Sequence, residues 1–183
     1  MHIKSKFKSS VFGRWSVLAF VTIILAGGGF KAHAFVHPGI PLTIEDLNTL
    51  KTNLDKAPWS EGYAALLADP KSSTNYIMAG PFPYVNRNLS HNYDNEWAWK
   101  NDMQAIFNLS LMWYFTGNTN YAQRGHDILI AWANTMTNFG GVEAGLDLGD
   151  MAMAYGGGAD ILRGTWPGWT AADTLAVSNL FVN

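Results

Sequence analysis

Residues 101–136 read NDMQAIFNLSLMWYFTGNTNYAQRGHDILIAWANTM. On either side of one break, Thr116-Gly117-Asn118, apolar and aromatic side chains recur at helical spacing. Upstream, Trp99, Met103, Ile106, Ser110 and Trp113 share a face. Downstream, Tyr121, Gly125, Ile128, Leu129, Trp132 and Met136 share another. The spacing predicts a helix opening at Asp94 or Asn95 and running to about Tyr114, then a second from about Asn120 to Met136. Helices joined by so short a turn lie antiparallel, so the pair reads as a helical hairpin, ended by Gly140-Gly141.

The same periodicity extends outward. Thr43 followed by Asp46 is a capping-box variant ahead of Ile44, Leu47, Leu50 and Leu54. Ser60 is placed to cap a short helix with Tyr63, Leu66 and Leu67, stopped at Asp69-Pro70. Residues 70–92 hold three prolines and Tyr76, Phe82 and Tyr84, which predicts a long ordered loop anchored by aromatics. A further helix is expected from about Leu146 to Arg163, with Gly156-Gly157-Gly158 marking either close packing or a break. Thr170 to Asp173 is another capping box, opening a helix whose apolar pattern still runs at Asn183 with no stop signal. No stretch alternates as a strand does. The expected architecture is all-α, built from antiparallel helical hairpins.

At the other end, Lys4, Lys6, Lys8 and Arg14 precede the apolar run VLAFVTIILA (17–26), and Ala32-His33-Ala34 offers a small-x-small cleavage site. That order is the layout of a secretory signal peptide. The run is about ten residues, whereas a membrane span needs roughly twenty, and the Gly27-Gly28-Gly29 break argues further against an uncleaved anchor. The expectation is a leader of residues 1–34, a working segment of residues 35–183, secreted or periplasmic localisation, and no stable membrane anchor after cleavage.

Processing alters the charge. Five of the twelve Lys and Arg residues leave with the leader and all fourteen acidic residues stay, giving a net charge of −7. Such a chain lacks the basic stripe of a nucleic-acid binder, and any anionic ligand has to be held by a few local groups rather than steered. The absence of cysteine excludes disulfides and thiolate chemistry. Stability must come from the packed core, and seven of the eight tryptophans lie in the working segment.

Asp102, Met112-Trp113, Thr116-Gly117-Asn118, Tyr121-Ala122 and Ile128-Leu129 followed by Ala131-Trp132 resemble the N-terminal half of the alginate-lyase-like polysaccharide lyases. His37-Pro38-Gly39 is similar to the mature start of that superfamily, and Gly158-Ala159-Asp160-Ile161-Leu162-Arg163 to one of its later helices. The resemblance covers most of residues 35–183. It implies an incomplete α/α toroid and β-elimination at a uronic acid residue of an anionic polysaccharide or oligosaccharide of the alginate or glucuronan type, without a metal or other cofactor. That chemistry demands neutralisation of the sugar carboxylate, a base for the C5 proton and an acid for the leaving oxygen. The Asn, His, Arg and Tyr that perform these roles in the superfamily are expected beyond Asn183, so no catalytic residue is assigned, and the chain reads as the first half of such a domain.

The candidate substrate-binding residues follow from polarity and place. His91, Asn92 and Tyr93 sit in the most polar-aromatic cluster, Ser90 to Trp97, which suits either sugar contact or a helix N-cap. Arg87, between Lys71 and Lys100, is placed as a carboxylate clamp. Asp102, Gln104 and Asn108 lie on one helix, where they line a groove, cap neighbouring backbone or face solvent. His126 reads as structural or exposed before catalytic, and His37, near the new N-terminus, as a groove contact or part of a mobile chain end. Asn88-Leu89-Ser90 and Asn108-Leu109-Ser110 are glycosylation sequons. No metal-ligand spacing, P-loop, nucleophile elbow or dinucleotide fingerprint occurs. The alternative to a lyase is a non-catalytic helical module that binds carbohydrate or a partner through the same aromatic residues.

Overall fold

A computed structural model describes residues 35–87 and 95–182. The leader, and with it the cleavage site, lies outside the described residues. The described chain is all-α apart from one small strand pair. Six helices occur among these residues: α1 (Ile44–Thr52), α2 (Trp59–Ala68), α3 (Glu96–Thr116), α4 (Thr119–Thr135), α5 (Ala144–Thr165) and α6 (Ala171–Val182). None is long and apolar enough to cross a membrane.

The hairpin of residues 101–136 forms as expected. Gly117, at φ 70°, closes α3 with its N–H on the Trp113 carbonyl. Asn118 then caps α4 by accepting from the Asn120 amide. At the other end of α3, Asn95 occupies the N-cap in the left-handed region, φ 60°, a conformation asparagine tolerates better than most residues. Its side chain makes no capping bond and instead donates to the Tyr84 carbonyl at 2.9 Å. Both capping boxes are present, Thr43 with Asp46 on α1 and Thr170 with Asp173 on α6. Ser60 is a correction. Helix α2 starts two residues earlier, with Pro58 at the N-cap and no side-chain cap, because the Ser60 amide already donates to the Lys56 carbonyl.

Helix α3 is the centre of the fold. Trp99, Met103, Ile106 and Leu109 are buried against Ile128, Leu129 and Trp132 of α4 and against Tyr155 and Ala159 of α5. The three glycines do not interrupt α5, which is continuous through them. They mark close packing: a Cβ on Gly158 would stand 2.8 Å from Ile106 Cγ2 and 3.1 Å from both the Ile106 carbonyl carbon and Phe107 Cα. Ser110 Oγ sits at the crossing, 2.7 Å from the Ile106 carbonyl of its own helix and 3.0 Å from the Gly158 carbonyl, its one hydrogen shared between them. Gly158→Ala should therefore destabilise. Overpacking against backbone costs about 1–3 kcal/mol, more than the ~1 kcal/mol alanine regains in helix propensity. Urea unfolding should show a net loss of up to ~2 kcal/mol, and greater stability would contradict the contact.

The segment before α1 is strapped to α5. Asp160 accepts from the Gly39 and Ile40 amides at 2.6 and 2.9 Å and from His37 Nδ1. Pro38 and Pro41 lie where Gly164 and Gly157 carry no Cβ. One feature departs from the sequence reading. The loop after α2 contains β1 (Tyr84–Asn86), which pairs in parallel with β2 (Asn138–Gly140), Val85 opposite Phe139. Three residues are too few to show alternation.

Candidate substrate-binding cleft

Helices α1, α2 and α3 leave a cleft of about 530 Å³ between them. No residue of α2 is buried although the helix is largely apolar, so it stands off α3 rather than closing on it. Leu50 of α1 and Leu54 just after it form one wall, Trp59, Tyr63 and Leu66 the α2 wall, and Leu111 and Phe115 the floor. Tyr63 meets Phe115 edge to face with ring centroids 5.9 Å apart, which props α2 in place. Trp59 is 39% exposed.

One end of the cleft is polar. Asn108, only 4% exposed, donates to Asp69 Oδ2 at 3.0 Å and accepts from Gln104 Nε2 at 2.9 Å. Asp69 also caps the 3₁₀ turn Pro70–Ser72 by accepting from the Lys71 amide. Lys71 Nζ also lies 4.0 Å from Asp69 Oδ1, and since a carboxylate offers about four acceptor positions, Asp69 keeps capacity toward the cleft. Among the described residues, no Lys, Arg or His lines it.

The residues singled out from sequence are thus separated. Gln104 and Asn108 come together at this polar end. The Asn108 sequon is buried in mid-helix, with Ser110 fully buried beside it. Asp102 is a correction: it lines no groove. It is fully buried and accepts from Tyr76 Oη, the Ala79 and Gly80 amides and Trp132 Nε1, each at 2.8–2.9 Å. It holds the loop after α2 against the α3–α4 hairpin. Burial, and then the bond to this carboxylate, pushes the Tyr76 phenol well above its ordinary range.

Arg87 is a second correction, because it is not a free carboxylate clamp. It pairs with Asp147 and, through Nε, with Glu143 at 3.4 Å. Lys100 reaches the same Asp147 at 2.6 Å and Glu96 at 2.7 Å. His91, Asn92, Tyr93 and the Asn88 sequon lie outside the described residues. His126 is structural. Its Nε2 meets Asp173 at 3.0 Å and its ring lies beside Trp166 and Trp169, which ties α4 to α6. His37 serves the N-terminal strap.

Trp59, Phe115 and Asp69 were not legible as site residues. The periodicity assigned Tyr63 and Leu66 to a helix face but carried no sign of what that face meets. No protein-family model matches the chain, and comparisons with curated proteins and with solved structures find no match either.

Proposed function

We propose that this chain is an exported polysaccharide lyase of the alginate-lyase-like class, acting on a uronic-acid-containing polysaccharide by β-elimination, and that its hairpins are the first of an α/α toroid. The carrying observation is that motif pieces distant in the chain meet. Asp102 accepts from Trp132 Nε1, and His37-Pro38-Gly39 is held by Asp160. The pattern that resembles the superfamily is then a set of packing partners, as expected where sequence similarity reflects a common fold. The toroid is further supported by Leu146 and Met153 on α5 and Leu175 on α6, each more than half exposed, as on faces against which further helices pack.

The test is absorbance of the unsaturated uronide as alginate, polyglucuronate or another polyuronate is cleaved. The expected result is an increase that needs no added metal. Failure across the panel, with a carbohydrate still bound, would replace the lyase with the non-catalytic carbohydrate-binding module. That second reading is favoured by the aromatic cleft, which has one carboxylate and no base–acid–cation set.

A further inference from the structure

The cleft between α1, α2 and α3 has a chemistry that is wrong for a uronate and right for an uncharged sugar. Among the described residues no cation lines it; Lys71 Nζ touches its one carboxylate only at 4.0 Å, from outside the lining, and that carboxylate would repel a second. Its walls are aromatic and aliphatic, with Trp59 at 39% exposure. One face of a pyranose presents C–H groups of slight positive charge, complementary to the negative face of an aromatic ring. The polar end supplies what the hydroxyl edge of such a ring needs, an acceptor with spare lone pairs held rigid by the Gln104–Asn108–Asp69 chain. A few fixed polar groups at the end of an apolar cleft of this size is the general form of a small-ligand site.

We propose that this cleft binds a neutral glycosyl unit, stacked on Trp59 and Tyr63 and donating hydroxyl hydrogens to Asp69. The inference rests on the carbohydrate reading above and narrows it. The polysaccharide then carries uncharged sugars as well as uronates, and the cleft holds one of them.

The experiment is calorimetric titration of the purified protein with neutral gluco-, manno-, galacto- and xylo-oligosaccharides, beside polyuronate oligosaccharides of equal length. At least one neutral series should bind. Trp59→Ala should weaken that binding by about ten-fold, equivalent to ~1.4 kcal/mol, and Trp59→Phe should restore most of it. Trp59 is partly exposed, so neither variant threatens the fold, and an unchanged melting curve checks this. Binding only of polyuronates, no binding by any series, or binding indifferent to Trp59 overturns the proposal. Lyase activity is read separately by absorbance, so losing one result leaves the other standing.

Discussion

Asp102→Ala is expected to lower the unfolding free energy by about 4 kcal/mol, in the range seen when one partner is removed from a buried charged network. The carboxylate is fully buried and satisfies four donors, two of them backbone amides of the loop after α2. Its removal leaves the Ala79 and Gly80 amides and the Trp132 indole without acceptors in a space too tight for easy repair. A Cβ on Gly80 would already stand 2.2 Å from Trp132 Cζ2. Each buried donor left unmet costs about 1–3 kcal/mol. For a chain of this size the melting temperature should fall by roughly 10 °C. Asp102→Asn keeps the volume but points an amide donor at other donors, so it should fall between wild type and alanine. A second readout is the Tyr76 phenol, which should ionise at lower pH once the carboxylate is gone. A loss below ~0.5 kcal/mol in urea unfolding, within the span of ordinary surface substitutions, would show that Asp102 does not hold this loop.

Asp147→Ala should be nearly as costly, about 3 kcal/mol, because it leaves Arg87 and Lys100 facing each other without their shared anion. Both cations keep some access to water, which limits the loss. The pH dependence follows from the same geometry. Burial works against ionisation of Asp147, but bonds from Lys100 and Arg87 outweigh it and hold the carboxyl below its usual range. Asp173 behaves alike. Burial opposes ionisation, and bonds from Thr170 and His126 prevail. A carboxylate whose folded pKa is depressed contributes stability that is fully present above its unfolded value, about 3.9, and is lost as pH falls through the folded value. Wild-type stability should therefore rise with pH through the acid range and level off above it. Asp147→Ala should flatten that rise, leaving the part due to Asp173 and to Asp46, whose carboxyl the Thr43 amide and hydroxyl also hold low. An acid limb unchanged in the variant would mean that Asp147 titrates alike in the folded and unfolded chains.

The helices were largely legible because their signals are local. Thr43 and Asp46, Gly117, Asn118, and Thr170 and Asp173 act within one turn of where they stand, and each is found doing so. Where a residue's role depends on a distant partner, local reading failed. The donors to Asp102 lie 22 to 30 positions away, and Arg87 and Asp147 are 60 apart. A polar side chain on a helix looks the same in sequence whether it faces a groove or the interior. The strand pair failed for a related reason, since pairing, not residue type, makes those three-residue segments strands.

By itself the sequence determined that the chain is helical, where its helices start and stop to within a residue or two, and that α3 and α4 form a hairpin. Periodicity, caps and turns are properties of neighbours along the chain. Only the tertiary structure decided which polar groups are buried scaffolding and which border open space. It turned Asp102 and Arg87 into internal supports, and it gathered Trp59, Tyr63, Phe115, Asp69 and Asn108 around one cleft. The reason is physical: burial and hydrogen-bond satisfaction depend on how helices pack, and packing joins residues that no spacing rule connects.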